Sequence, residues 1–199
     1  MLRTPRRGFL ALVGSGALLA SCGDGDDDGA GGGGAQDRQG DLGIVNYALT
    51  LEFIEAQFYE QVLDAGVIKR PHVLKVVRSI EQDEQEHVDA LTVVAQQLGG
   101  GAAKAPKVSF DDVIKGGEAK VLATAALVEN LGAAAYLGQA GRIENPEVLA
   151  AALSIHSNEG RHAAALNWAV GRPMTQSGAF AKPATMAEVL RQVKPFLVS

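Results

Sequence analysis

One helix-spaced pattern of metal-ligating side chains occurs twice in this chain. Residues 79–91 read Ser-Ile-Glu-Gln-Asp-Glu-Gln-Glu-His-Val-Asp-Ala-Leu. They lie without a gap over residues 154–166, Ser-Ile-His-Ser-Asn-Glu-Gly-Arg-His-Ala-Ala-Ala-Leu. Both copies reduce to Ser-Ile-x-x-(Asp/Asn)-Glu-x-x-His-x-x-Ala-Leu. A second shared pattern lies upstream of each, where Glu52, Ala56 and Tyr59 match Glu129, Ala133 and Tyr136. The lone Glu precedes the Glu-x-x-His by 32 residues in the first half and 30 in the second. The chain therefore reads as a duplicated helical hairpin. One hairpin offers Glu52, Glu84 and His87, and the other offers Glu129, Glu159 and His162.

The spacing suits metal binding. Residues i and i+3 of a helix lie about 60° apart on one side. Glu84 with His87, and Glu159 with His162, can each grip an ion from a single helix. Tyr59 and Tyr136 fall two turns beyond Glu52 and Glu129, on the same faces. Those faces are apolar: Glu52 follows Ala48, Leu49 and Leu51, and Glu129 follows Ala125, Ala126, Leu127 and Val128. A carboxylate buried without a partner costs several kcal/mol or takes up a proton. Four carboxylates balance two divalent ions. Carboxylate and imidazole suit iron or manganese, and no thiolate is offered that would favour zinc or copper(I). One Glu-x-x-His alone is weak evidence, since most are solvated. Agreement between two copies makes the metal reading the stronger one. Its alternative is a decayed duplicate, folded alike but metal-free, with protonated or mutually hydrogen-bonded carboxyls.

Positioning these residues takes four long helices. Breakers and caps predict helix 1 from about Leu42 to Ala65, helix 2 from Pro71 to Gly99, helix 3 from Glu118 to Gly141 and helix 4 from Asn145 to Gly171. The link between helices 2 and 3 is long enough to run the length of a bundle. Thr185-Met186-Ala187-Glu188 is a capping box that opens a short fifth helix, expected over one bundle end. The predicted fold is all-α: a four-helix bundle with one long crossover and a short C-terminal helix.

The region from about Asp41 to Gly171 resembles the ferritin-like superfamily, and most of all the exported bacterial ferritin-like domain proteins. The match rests on Leu-Glu-Phe-Ile-Glu-Ala-Gln-Phe-Tyr (51–59), Glu-Gln-Glu-His (84–87), Glu-Asn-Leu-Gly-Ala-Ala-Ala-Tyr (129–136) and Glu-Gly-Arg-His (159–162). The resemblance implies two iron or manganese ions held by Glu52, Glu84, His87, Glu129, Glu159 and His162, with Glu84 and Glu159 bridging. Glu55 is an extra acid one turn after Glu52, with Gly132 as its counterpart. It is expected to touch ligands and not ions, as are Glu81 and His156, which occupy matching positions. Tyr59 and Tyr136 are candidates to tune the site by hydrogen-bonding ligand carboxylates. Asp83 and Asn158 are candidates to orient ligands across the bundle. His72 is expected to be solvated, and Trp168 and Phe180 to pack.

The amino terminus suggests where the protein works. Arg6-Arg7-Gly8-Phe9-Leu10 resembles a twin-arginine export signal, although Pro5 and Ala11 depart from the fuller motif. The apolar stretch from Phe9 to Ala20 falls short of the roughly 20 residues that span a bilayer. Leu19-Ala20-Ser21-Cys22 resembles a lipobox, which would place the lipid on Cys22, the chain's one cysteine. Residues 1–21 are thus expected to be a signal, 22–40 a Gly/Asp-rich flexible linker and 41–199 the bundle. The implied location is the periplasm or cell envelope, with the membrane reached through a lipid anchor.

Composition narrows the partners. The net charge of −5 becomes −8 once the three signal arginines are removed, since the signal carries no acid. No basic patch stands out, which argues against nucleic acid. Metal ions or a small-molecule oxidant are the expected partners. A lipid tether disfavours a closed cage, although a processed soluble form could assemble as a homo-oligomer. Three classes stay open: a redox enzyme using oxygen or peroxide (ferroxidase, peroxidase or catalase-like), a metal-storage protein, and a structural envelope protein. One cysteine cannot build the rubredoxin-type cluster of rubrerythrin relatives, so any electron donor is external.

Overall fold

A computed structural model describes residues 33–198, with side chains from Gly40 onward. Its long helices are α1 (Gly33–Asp64), α2 (Pro71–Gln97), α4 (Gly117–Ala140) and α5 (Pro146–Ala169). Two short helices, α3 (Asp111–Lys115) and α6 (Met186–Val193), complete the set, and a 3₁₀ turn follows over Lys194–Phe196. The main pairings are α1 with α2 and α4 with α5. These are the two hairpins of the duplication, set against each other as an all-helical bundle.

The helix ends follow local chemistry. Gly66 and Gly99 adopt φ of +58° and +80°, a left-handed conformation that stops α1 and α2 without a Cβ penalty. Asn145 caps α5, accepting from the Glu147 and Val148 amides, with Pro146 at the first helical position. The Thr185–Glu188 capping box opens α6.

The crossover from α2 to α4 is pinned along α1. Asn46 exchanges hydrogen bonds with Gly101 and Ala103, Gln57 donates to the Pro106 carbonyl, and Gln61 accepts from the Phe110 amide. The route therefore runs the length of the first hairpin, as the link length predicts. Helix α3 within it is a departure from the plain link expected. Asp111 and Asp112 in its first turn and Lys115 in its last suit the helix dipole, and Val113 buries its one apolar face.

Three further differences matter. α1 begins at Gly33, where the flexible linker was expected to continue to Gly40; the signal, Cys22 and the rest of the linker lie outside the described residues. α6 does not cover a bundle end. Ala184 donates its amide to the Ala134 carbonyl, and α6 then lies over the α1–α4 seam, with Val189 and Val193 buried near Leu51, Ile54, Val128 and Leu131. Its two valines are one turn apart, so the helix needs a side-on groove. Trp168 and Phe180, expected to pack, are 70% and 83% exposed: Trp168 stands on the outer face of the last turn of α5, and Phe180 in the exposed segment that follows it.

α4 alone among the described helices is apolar and long enough to cross a membrane by length and composition. It is more than half buried and carries Glu129 inward, as a core helix of the bundle does.

Candidate metal centre

The apolar faces of the four long helices converge on four glutamates. Glu52 from α1, Glu84 from α2, Glu129 from α4 and Glu159 from α5 are each 0% exposed. His87 and His162 sit one turn after Glu84 and Glu159 and are also buried. Two overlapping groups of donors result: Glu52, Glu84, His87 and Glu159 in one, and Glu84, Glu129, Glu159 and His162 in the other. Within each group the ligating atoms lie within 4.8 Å of one another. Glu84 and Glu159 belong to both. All six residues expected from the sequence come together.

Both imidazoles aim Nδ1 inward. His87 Nδ1 is 3.1 Å from Glu52 Oε2, 3.0 Å from Glu84 Oε2 and 3.4 Å from Glu159 Oε1. His162 Nδ1 is 2.9 Å from Glu84 Oε1 and 3.1 Å from Glu129 Oε2. The outer nitrogens are held from outside. His162 Nε2 lies 3.2 Å from Asp83 Oδ2, and the Asn158 amide approaches both Nε2 atoms. Arg161 donates to Asn158 Oδ1 and fixes that amide. Asp83 thus orients the His162 ring across the bundle, and the Asn158 amide stands beside both outer nitrogens.

The tyrosines are exchanged between the halves. Tyr59, on the first hairpin, donates to Glu129 of the second. Tyr136, on the second, donates to Glu52 of the first at 2.5 Å. The spacing that put each tyrosine on its own glutamate's face is correct; the hydroxyl reaches across the bundle axis to the other glutamate.

Electrostatics show a cluster short of positive charge. Burial pushes the Glu84 carboxyl up to about 7, helped by the charge of Glu129 and opposed by hydrogen bonds from both histidines. Glu159 is pushed well above the carboxylate range by burial, then by Glu84 and Glu129. For the imidazoles, burial alone would lower the pKa. Hydrogen bonds to Glu52 and Glu84 outweigh it and carry His87 up to about 10. Those to Asp83, Glu129 and Glu84 carry His162 up to about 12. Glu52 is opposed by burial too, yet its bonds from His87 and Tyr136 bring it below the usual value.

The residues fit a divalent cation centre. Glu84 Oε1 and both oxygens of Glu159 are buried with no aligned hydrogen bond, although imidazole nitrogens stand 2.9 and 3.4 Å from two of them. One N–H facing several oxygens can align with only one. Two imidazoles and two phenols cannot satisfy eight carboxylate oxygens, and cations would meet the remainder. Hard oxygen and imidazole donors match iron or manganese.

Three expected neighbours are placed differently from one another. Glu55 is 4% exposed, and its Oε2 has no hydrogen-bond partner. Burial, then the charges of Glu52 and Glu129, push its pKa well up. It belongs to neither donor group. His156 does not touch a ligand side chain through Nδ1, which pairs with the Ala133 carbonyl at 3.0 Å and ties α5 to α4. Glu81 is half-buried on α2 and outside both groups.

Gly132 explains how Glu55 is accommodated. A Cβ there would lie 2.5 Å from Glu159 Oε2 and 3.0 Å from Glu55 Oε1. Gly132→Ala is therefore expected to displace Glu159 and cut metal affinity at least as far as loss of a ligand, while helix propensity gains about 1 kcal/mol. Glu52→Ala should likewise lose metal, and Glu55→Ala should retain most of it. Metal content by elemental analysis checks all three. An exchange of phenotypes between Glu52→Ala and Glu55→Ala would put the register of α1 wrong by one turn.

Tyr47 carries no signal in the duplication. Its hydroxyl is buried without a partner, and burial and the Glu55 charge raise its pKa.

Comparison with curated proteins finds no match. A family model described as a ferritin-like domain matches residues 40–172, two thirds of the chain. That span contains every side chain of the Glu/His cluster, and the chain belongs to the ferritin-like domain family.

Proposed function

We propose that this protein is exported to the cell envelope and binds two iron or manganese ions in a carboxylate-bridged centre used for oxygen, peroxide or iron redox chemistry. The observation that carries this reading is the set of four fully buried glutamates with fewer hydrogen-bond donors than oxygens, faced by two inward Nδ1 atoms. Glu52 and His87 would hold one ion and Glu129 and His162 the other, with Glu84 and Glu159 between them. Bound ions would supply Lewis acidity and one-electron redox chemistry.

The chain's own residues set the conditions. Tyr59 and Tyr136 fix Glu129 and Glu52 by hydrogen bonds. Asp83 stands where it would accept from His162 Nε2–H, a tautomer that would leave Nδ1 free to hold an ion. The buried setting excludes bulk water. The single cysteine cannot form a thiolate cluster, which favours catalase-like or ferroxidase chemistry over a peroxidase fed by its own cluster.

The test is elemental analysis of protein purified from its native export route, followed by oxygen and peroxide assays. About two ions per chain and turnover with either oxidant support the reading. Trace metal only, after reconstitution with iron and manganese, would leave a structural protein.

Export is tested separately. Changing Arg6 and Arg7 together to Lys is expected to trap precursor in the cytoplasm, and Cys22→Ala to release the protein from membranes. Unchanged fractionation of both variants would remove the export and anchor proposals.

A further inference from the structure

The two halves of the duplication match in their ligands but not in the packing behind them. On the first hairpin, Phe58 stands directly before Tyr59. Its ring meets Tyr59 edge-on at 5.0 Å and Phe110 at 4.9 Å, and all three are sealed in the core. The residue matching Phe58 on the second hairpin is Ala135, directly before Tyr136. A phenyl ring is missing at that point, and the neighbours do not wholly fill its place.

A cavity of about 20 Å³ lies there. It is walled by all four long helices, by Ala48 and Leu51 of α1, Leu91 of α2, Ala135 and Tyr136 of α4 and Ala152 of α5. Tyr136 belongs to both cavity and centre. Its ring forms the wall, and its hydroxyl donates to Glu52. One aromatic ring therefore separates the cavity from the cluster of carboxylates.

The wall is almost entirely apolar. The Tyr136 hydroxyl is committed to Glu52, and the Gln139 side-chain carbonyl accepts from Arg142. Tyr47 also lines the cavity, and its hydroxyl has no partner. A buried water requires about 10–15 Å³ of such space and two to four polar partners, and apolar voids instead stay dry and take up apolar guests. The space suffices here, and few polar groups, the Tyr47 hydroxyl and the Gln139 amide nitrogen, remain to face it.

We propose that this cavity is a binding site for a small apolar molecule of the size of dioxygen, placed behind Tyr136 on one side of the centre only. A role for the site in delivering dioxygen past Tyr136 to the cluster rests on the proposed metal reading; the binding site does not. The asymmetry makes Ala135 the specificity-determining residue, because the first hairpin's own phenylalanine would fill the space.

Xenon is the probe, applied to the purified protein without metal and read by xenon NMR and by crystals under xenon pressure. Wild type is expected to hold xenon between Leu51, Ala135 and Ala152, and Ala135→Phe to abolish it. Ala152→Leu is the second filling variant, should phenylalanine overpack the core and prevent folding. Absence of a xenon site in wild type, or retention of it in a folded filled variant, overturns the proposal. In protein reconstituted with ferrous iron, the filled variant should keep its metal content and react with oxygen about tenfold more slowly, one decade in rate. An unchanged rate with xenon excluded overturns the delivery role. Xenon bound in wild type that takes up no metal supports the cavity and overturns the metal reading instead.

Discussion

Glu159→Gln is expected to shift stability in opposite directions with and without metal. Glu159 is fully buried, both its oxygens lack hydrogen bonds, and burial with the charges of Glu84 and Glu129 drives its pKa well up. An isosteric amide removes that electrostatic strain and brings an N–H₂ among unsatisfied carboxylates. The metal-free variant should therefore melt at or above wild type near neutral pH. With iron or manganese present the order should reverse, because a neutral amide would hold the proposed ions less well than a carboxylate. Ligand at a hundred times its dissociation constant stabilises a folded protein by about 2.7 kcal/mol. Each kcal/mol shifts the melting temperature by roughly 2–4 °C at this size. The loss should be about 5–10 °C, read by calorimetry with elemental analysis alongside. A shift in the same direction under both conditions would show that Glu159 serves the fold alone.

The second large effect concerns pH. His87 has an unperturbed value of 6.5 and a folded value of about 10. A raised imidazole stabilises fully below its unfolded value and loses that contribution as pH rises through the folded one. Glu84 moves from 4.5 to about 7, so its folded form also prefers the proton and costs stability as pH climbs through that window. Glu52 and Asp83 are lowered and act oppositely, but only on the acid side of their ordinary values. Metal-free protein should therefore lose stability steadily from about pH 5 to pH 10. Metal binding requires deprotonated ligands and strengthens as pH rises. The gap between loaded and metal-free melting curves should widen over the same range. Parallel curves would detach the two histidines from the metal.

Much of the centre was legible because helical spacing is rigid. A Glu and a His three residues apart have one relative placement, and a repeated motif supplies its own control. The four-helix order followed equally from Gly66, Gly99, Asn145 and the long crossover. Legibility failed where a side chain depends on a partner helix. Nothing local says that Tyr59 reaches Glu129 and not Glu52, or that His156 turns to a backbone carbonyl. Trp168 and Phe180 looked like core residues by type alone, yet Trp168 falls on the outward face of α5 and Phe180 in the exposed segment after it. The docking of α6 on the α1–α4 seam depends on a groove that two helices must first create. Gly132 was visible as the counterpart of Glu55, but its meaning lies in the space its missing side chain leaves beside Glu159.

The exchanged tyrosines turn a tandem repeat into an obligate pair. Each hairpin holds the hydroxyl that steadies the other's glutamate, so neither half contains a complete Glu/His cluster. A drift in one repeat is felt first in its sibling, which ties the two copies to a common fate. The chain behaves in this respect as a dimer whose subunits were joined by the crossover. Such a molecule loses its Glu/His cluster as a unit, and its two halves can be improved only in concert.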